Sequence, residues 1–207
     1  MTILLSDERV RAVPVVESGE PLVRLPGDLS PCRALVRIGL ADRLMAADLQ
    51  LPWGVQLRVV EGFRPVEQQR AIITSYAAQV RAHHPGSDDV ELARLTSRFV
   101  SPVEVAPHVA GAAVDLTLVD VCGEVLDLGT AIDATPEESD GRCYFSAAGI
   151  GAGARAHRDL LAAVLAGQGL VNYPTEWWHW SFGDRYWALL TRARHALYGP
   201  VSVAVAA

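Results

Sequence analysis

The chain has 207 residues, of which half are hydrophobic and a fifth are charged, and its formal net charge is −6. This length and composition are typical of a globular protein, and we expect residues 1–207 to form a single domain. The acidic balance and the lack of a basic stripe argue against a nucleic-acid partner. No run approaches 18 apolar residues, so the sequence predicts no membrane span.

The start of the chain and its cysteines bear on where the protein acts. The first nine residues combine a short apolar run with an early acidic cluster, which is unlike a secretory signal peptide. Cys32, Cys122 and Cys143 lie far apart and include no Cys-x-x-Cys pair. We therefore expect reduced thiols in a cytoplasmic protein, with all three side chains buried as small hydrophobic groups.

The first 51 residues predict an irregular arm followed by a helix. Residues 1–30 carry prolines and glycines without a clear period, and one short strand is expected at 21–25. Apolar residues then recur at helical spacing over 31–51, directly before a proline. That spacing predicts one helix.

The next segment predicts a strand and two helices. Apolar and polar residues alternate over 55–60, as they do in a strand. Pro65 suits the first turn of a helix, and the helix formers after it extend that helix to residue 82. Ser87 is expected to cap a second helix, which reaches residue 98.

The second half predicts a hairpin, a long loop, two helices and an aromatic strand. We expect the hairpin at 114–128, the loop at 131–153, the helices at 154–166 and 186–198, and the strand at 177–182. Helices and hairpins mix without regular βαβ alternation. The predicted fold class is therefore α+β, with a mostly antiparallel central sheet flanked by helices.

Two stretches of the chain offer ligands for a metal ion. His108 and Asp115 lie seven residues apart around small residues, and His179 follows Glu176 among three tryptophans. A catalytic zinc site uses three protein ligands and keeps a fourth position open, a count that His108, Asp115 and His179 meet. Glu176 is then free to act as general base on the attacking water.

Each half of this pattern also has an ordinary interpretation. A loop histidine and a strand-start aspartate at this spacing are weak evidence by themselves. An acidic residue beside an aromatic strand is less ordinary, because a buried carboxylate needs a partner. Since residues i and i+3 face opposite sides of a regular strand, Glu176 must precede the strand proper, after a turn at residues 173–175.

These motifs resemble the D-alanyl-D-alanine dipeptidases of the vancomycin-resistance type, which are zinc D,D-peptidases sharing a fold with the hedgehog signalling domain. The family has the signature Ser-x-His-x-x-Gly-x-Ala-x-Asp, followed by Leu-Thr-Leu. This chain matches that signature from His108 to Leu118. The Glu-x-x-His signature is matched at 176–179, and the aromatic-Arg-Pro element at 63–65. The resemblance covers about residues 55–182.

The resemblance implies a role for each matched residue. It implies one zinc ion per chain, bound by His108, Asp115 and His179, with Glu176 as the base that deprotonates the water. It also implies that Arg64 steadies the developing oxyanion, for which the fixed donors of a guanidinium are suited. A surface arginine at a helix start is the alternative interpretation of Arg64.

One further role and two departures concern the substrate. Asp133 lies in the long loop, near where the family places an acid that holds the substrate's free ammonium. The serine two positions before the first ligand histidine is Ala106 here, and the family's Tyr-Ala-Thr element has no counterpart in residues 1–50. Because that N-terminal element helps enclose the substrate's amino end, the exact substrate stays open.

The resemblance implies a zinc dipeptidase that hydrolyses D-Ala-D-Ala or a similar small dipeptide in the cytoplasm, where D-Ala-D-Ala is a cell-wall precursor. Two alternatives stay open. A D,D-carboxypeptidase or other peptide amidase could use the same zinc site with a more open groove. A non-catalytic binding protein could keep the fold, although the complete ligand set argues against it. The sequence leaves stereospecificity, oligomeric state and a role in antibiotic resistance, wall turnover or peptide tailoring undetermined.

Overall fold

Antiparallel strands form the framework of this computed structural model, which describes residues 2–201. The strands found there pair within a two-stranded and a four-stranded sheet, and the larger sheet has the order β3-β4-β6-β5. The strands are β1 (Leu22–Arg24), β2 (Leu35–Arg37), β3 (Val55–Glu61), β4 (Ala113–Asp120), β5 (Val171–Asn172) and β6 (His179–Ser181).

One helix of the described residues precedes β1 in the sequence, one follows β6, and the others lie between strands. Two short 3₁₀ turns, Val103–Val105 and His108–Ala110, precede β4. The α-helices of the described residues are α1 (Glu8–Ala12), α2 (Ile38–Asp48), α3 (Val66–His83), α4 (Asp89–Thr96), α5 (Ala152–Gly167) and α6 (Arg185–Thr191).

The central strand β4 separates the main core from the candidate site. Leu116 and Leu118 belong to the large apolar cluster that includes Leu44 of α2 and Leu161 of α5. Because side chains alternate along a strand, Asp115 points to the opposite face of the sheet. The predicted α+β class with a mostly antiparallel central sheet is confirmed.

The segment predicted as one helix over 31–51 contains a strand first. Residues 35–37 form β2, and α2 begins only at Ile38. The strand forms because β1 supplies a backbone partner for it, as when Leu22 pairs with Arg37. That tertiary pairing overrides the helical spacing of the apolar residues.

Several other boundaries differ from their predictions. The cap of α4 is Asp88 and not Ser87, because the Asp88 carboxylate accepts the Glu91 backbone N–H at 2.8 Å. The arm contains a short helix, α1, that was not predicted. The hairpin after β4 is reduced to a single bridge between Val119 and Val125.

The long loop is confirmed, while the last strand and helix are shorter than predicted. The loop has only turns until α5 starts, at Ala152. The strand at 177–182 shrinks to His179–Ser181, and the helix at 186–198 to Arg185–Thr191. Residues 1 and 202–207, the ends of the predicted domain, lie outside the described residues.

The prediction that every cysteine is buried was wrong for two of them. All three are free thiols, but only Cys143 is buried, whereas Cys32 and Cys122 are exposed. Both exposed cysteines lie in turns, which run over a protein surface. Separately, none of the helices in the described residues combines the length and apolar character that crossing a membrane requires.

Candidate metal and catalytic site

The register of the large sheet aligns three polar side chains across neighbouring strands. Asp115 of β4 lies opposite Glu61 of β3 on one side and opposite His179 of β6 on the other. Directly opposed residues of antiparallel strands share a face of the sheet. β3 holds one extra residue between Val59 and Glu61 relative to β4, and this irregularity turns Glu61 towards the face of Asp115.

His108 approaches the same face from the 3₁₀ turn before β4. Gly111 ends that turn with φ +65°, and a Cβ there would lie 2.4 Å from a Leu22 methyl group, so any other residue would strain the backbone and displace Leu22. The Nδ1 of His108 lies 2.8 Å from the Gly62 carbonyl oxygen. A carbonyl only accepts, so Nδ1 carries the proton and Nε2 is left to face Asp115 and His179.

Three donor atoms converge between these residues. His108 Nε2 lies 3.3 Å from one Asp115 carboxylate oxygen, and His179 Nδ1 lies 3.2 Å from the other. The two ring nitrogens are 3.1 Å apart, and the possible ligand atoms of the three residues all lie within 4.8 Å of one another. Two imidazoles and a carboxylate, all buried, match the three-ligand set of a catalytic zinc site.

The charges of these side chains depend strongly on one another when no metal is bound. Burial opposes ionisation of Asp115, but the two imidazoles outweigh it and hold its pKa below the usual range. Burial likewise opposes protonation of His108, yet Asp115 raises the pKa of that imidazole. His179 has a lowered pKa, chiefly because it is buried. The site therefore holds a carboxylate that favours a cation between the rings.

Glu176 lies beside these atoms at the end of a turn. Its backbone N–H donates to the Tyr173 carbonyl at 2.9 Å, and β6 begins three residues later, so Glu176 precedes the strand proper as expected. One carboxylate oxygen is 3.8 Å from His179 Nδ1, and the other is buried without a partner. Burial, and then the charges of Asp115 and Asp133, raise the pKa of Glu176 well above 4.5.

Arg64 follows β3 and is largely enclosed, with 12% of its side chain exposed. Its Nε donates to Glu61 Oε1 at 2.8 Å, its Nη2 donates to Glu61 Oε2, and its Nη1 donates to Gln69 Oε1 at 2.9 Å. Its backbone N–H donates to the His108 carbonyl. These contacts exclude the interpretation of Arg64 as an ordinary surface arginine.

Asp133 reaches the site from the long loop. It has φ +63°, a left-handed conformation that only a minority of non-glycine residues adopt. Asp133 is exposed to solvent, yet partial desolvation beside the cavity, with the nearby charges of Asp115 and Glu61, raises its pKa to about 6. It lines a cavity of about 360 Å³ together with the ligand set, Glu176, Arg64 and, from the N-terminal arm and other segments, Leu5, Phe99 and Tyr173.

The loop that carries Asp133 is anchored on one buried arginine of α5. Arg158 is fully buried, and its guanidinium donates to the carbonyl oxygens of Leu128, Arg142 and Tyr144 at 2.6–2.9 Å. The same group lies over the Trp177 ring, 5.6 Å from its centroid. Arg158 thus ties the segment just before the loop to the middle of the loop.

We expect Arg158→Met to lower the free energy of unfolding by about 3 kcal/mol, because several buried carbonyls lose their donor. KM should rise in the same variant, since the loop positions Asp133. Urea unfolding and steady-state kinetics measure both effects. Arg70→Met, at an exposed position of α3, is the matched control and should change stability by about 0.5 kcal/mol or less. Equal stability of the two variants would contradict the anchoring role.

Sequence reasoning did not identify Glu61, Gln69 or Tyr173 as parts of the site. The sequence could have pointed to Gln69, because it shares the buried face of α3 with Tyr76 and Val80. It is the amide-bearing residue on that face. Glu61 could have been noted as the acid three residues before Arg64. The Tyr173 hydroxyl accepts the Leu5 N–H, a contact between distant segments that no local pattern reveals.

Comparisons with known sequences point to one family. The profile of Peptidase_M15, described as D-ala-D-ala dipeptidase, matches residues 30–196. A D-alanyl-D-alanine dipeptidase of Synechocystis sp. is 26% identical over 239 aligned positions, covering 92% of this chain and 95% of that protein. The enzyme of the same name from Escherichia coli is 38% identical over 141 residues, covering 68% of this chain and 60% of that protein.

Two solved structures share part of the architecture. A point mutant of the vancomycin-resistance D,D-pentapeptidase VanY in complex with Zn(II) is 17% identical, with a TM-score of 0.48, covering 92% of this chain and 96% of that chain. VanYB in complex with D-alanine-D-alanine is 18% identical, with a TM-score of 0.49, covering 92% and 94%.

Proposed function

The chain belongs to the D-Ala-D-Ala dipeptidase family, and on that premise we propose that it is a zinc-dependent dipeptidase acting on D-Ala-D-Ala or a similarly small dipeptide. The observation that carries the proposal is the convergence of His108, Asp115 and His179 donor atoms beside the unpartnered carboxylate oxygen of Glu176. Buried polar atoms normally have partners, and a cation with a substrate molecule supplies them here.

The residues present fit one zinc ion per chain. His108 and His179 would bind it through ring nitrogens and Asp115 through a carboxylate oxygen, and the Gly62 carbonyl would keep the His108 ring in the required tautomer. Bound zinc polarises a carbonyl oxygen and lowers the pKa of a water molecule that it holds.

The neighbouring side chains would carry the proton and charge transfers of hydrolysis. Glu176 accepts the proton of the attacking water and delivers it to the leaving amine. In the metal-free protein burial raises the pKa of Glu176, which favours its taking up a proton. Arg64 stabilises the charge that develops on the carbonyl oxygen. Asp133 holds the free ammonium of the dipeptide.

The experiment that tests this proposal is hydrolysis of D-Ala-D-Ala by the zinc-loaded protein, with bound zinc quantified. We expect turnover at about one zinc per chain. N-acetyl-D-Ala-D-Ala should be a poor substrate, because its blocked nitrogen carries no charge for Asp133 to bind. Efficient cleavage of the acetylated peptide alone would favour the D,D-carboxypeptidase alternative, and protein without zinc affinity would exclude the metal-dependent mechanism.

Asp133→Asn is expected to raise KM for D-Ala-D-Ala by roughly 10-fold, because the ion pair with the ammonium is lost at a residue that is exposed in the free protein. Asparagine keeps the side-chain shape and tolerates the positive φ, so the loop should fold normally. The exposed loop residue Asp140 also has positive φ, and Asp140→Asn is therefore the matched control. Equal KM values for the two variants would remove Asp133 from the substrate site.

The Asp133 carboxyl is also expected to make kcat/KM fall at acidic pH. Asp133 binds an ammonium only when ionised, and its raised pKa delays ionisation to about pH 6 in the metal-free protein. A bound cation lowers that pKa towards the ordinary 3.8, so this fall in kcat/KM should have its midpoint between these values. Asp133→Asn should lack this fall, and a profile unchanged by the substitution would contradict the assignment.

Two broader features also belong to this proposal. We propose that the chain forms one domain, and the support is an apolar cluster that draws residues from Leu25 to Tyr198. We propose a cytoplasmic location, supported by three cysteines that are all free thiols. Cell fractionation tests the location, and limited proteolysis tests the domain.

A further inference from the structure

A buried amide on α3 is fixed at both of its ends. Gln69 is 1% exposed, its Oε1 accepts from Arg64 Nη1 at 2.9 Å, and its Nε2 donates to the Ser101 carbonyl at 2.9 Å. A carbonyl oxygen cannot donate, so the nitrogen of the amide has to face Ser101. The oxygen of Gln69 is thereby held towards Arg64 in one orientation only.

The Gln69 amide accepts one of the N–H groups of Arg64, which limits how many are left for a ligand. A guanidinium has five N–H donors in one plane, of which Glu61 takes two and Gln69 takes one. One N–H is left on each terminal nitrogen of Arg64. These two donors are the ones available to an oxygen in the cavity that Arg64 lines.

The two partners of Arg64 differ in how firmly they are held. The Glu61 side chain is 28% exposed and lies only three residues before Arg64, so it can move together with the guanidinium. Gln69 is buried, belongs to the first turn of an 18-residue helix, and is tied to Ser101 on another segment. Gln69 is therefore the fixed reference that sets the plane of the guanidinium.

We propose that Gln69 is a positioning residue that orients Arg64 so that its two remaining N–H groups face the oxygen on which charge develops. The inference rests on the proposed oxyanion role of Arg64. Donors that are already oriented need no reorganisation during the reaction, and a misplacement of about 1 Å at such a group can cost about 100-fold in rate.

Two substitutions separate this role from a purely structural one. Gln69→Leu removes both hydrogen bonds at similar volume. Gln69→Glu keeps an oxygen for Arg64 but places its second oxygen against the Ser101 carbonyl. If Gln69 positions Arg64, kcat falls roughly 10- to 100-fold in Gln69→Leu, and Gln69→Glu stays within about threefold of the parent. If Gln69 only ties α3 to Ser101, Gln69→Glu is the more damaged variant, and the inference is overturned.

A double-mutant cycle with Arg64→Ala gives the decisive readout. If Gln69 acts by positioning Arg64, it has no such effect once Arg64 is removed. Adding Gln69→Leu to Arg64→Ala should therefore lower kcat by less than about twofold relative to Arg64→Ala alone. Additive losses would overturn the inference while leaving the role of Arg64 intact. Should Arg64→Ala alone leave kcat unchanged, the failure lies in the proposed function instead.

Ligand binding supplies a readout that is independent of turnover. A phosphinate analogue of D-Ala-D-Ala mimics the tetrahedral geometry of the transition state, so its Kd should rise in Gln69→Leu by the same factor by which kcat/KM falls. Zinc content should stay at about one per chain. Gln79→Leu, at an exposed position of the same helix, is the control and should change neither quantity. If Gln69→Leu folds poorly, Gln69→Met carries the same comparison, and an unchanged phosphinate Kd overturns the inference.

Discussion

Glu176→Gln is expected to lower kcat for D-Ala-D-Ala by about 1000-fold while the protein keeps about one zinc ion. A positioned general base typically contributes 10²- to 10⁴-fold, and glutamine has the shape of glutamate without the ability to take a proton. The proposed ligands His108, Asp115 and His179 are unchanged in this variant. Loss of turnover with retained zinc separates the role of the base from that of the metal.

Stability provides a second measurement on the same variant. Burial holds the pKa of Glu176 well above 4.5, so in the metal-free protein its ionisation at neutral pH costs folding free energy. The neutral amide should therefore raise Tm of the metal-free protein at pH 7, and this gain should vanish at pH values below the unfolded-state pKa, where both forms are neutral. Glu67→Gln, at an exposed position, is the control. Near-normal turnover in Glu176→Gln would contradict the assignment of the base.

Asp115→Ala is expected to abolish both zinc binding and turnover, with a loss of at least about 10⁴-fold in kcat/KM. The substitution removes the anionic ligand and leaves two imidazoles whose nitrogens lie 3.1 Å apart. Two neutral ligands make a much weaker zinc site than the three that a catalytic site normally uses. Of all the single substitutions considered, this one should have the largest effect.

Calorimetric zinc titration and thermal unfolding with and without zinc test the role of Asp115. Zinc should raise Tm of the parent, because a ligand that binds only the folded state stabilises it, whereas Tm of Asp115→Ala should not respond. Asp159→Ala, at an exposed position of α5, should behave like the parent. Stoichiometric, tight zinc binding by Asp115→Ala would show that the metal is held elsewhere.

Elements that depend on local chemistry were predicted well from the sequence. Helix α3 was expected at 66–82 and spans Val66–His83, because a proline opens it and strong helix formers follow. The sequence also singled out His108, Asp115 and His179 as possible metal ligands, since they occur in short motifs with unusual neighbours, and the structure brings these side chains together. The helix predicted over 31–51 was wrong in its first part, because residues 35–37 pair with the strand at residues 22–24.

What the sequence could not provide is the relation between segments. The opposition of Asp115 and His179 depends on the register of two strands that are 64 residues apart, and no local pattern sets that register. The contact of Gln69 with Arg64 requires both the course of α3 and the position of Ser101. Polar residues buried by tertiary structure resemble surface residues when only the sequence is known.

The extra residue in β3 decides which face of the sheet Glu61 occupies. Regular pairing of every residue of β3 with β4 would place Val60 opposite Asp115 and turn Glu61 towards the core, because consecutive side chains face opposite sides. The irregularity takes up Val60, so that Glu61 reaches the face on which Asp115 lies. Natural and laboratory evolution should therefore tolerate many side chains at position 60, because the two-against-one pairing of the backbone, and not the valine itself, presents Glu61 to Arg64.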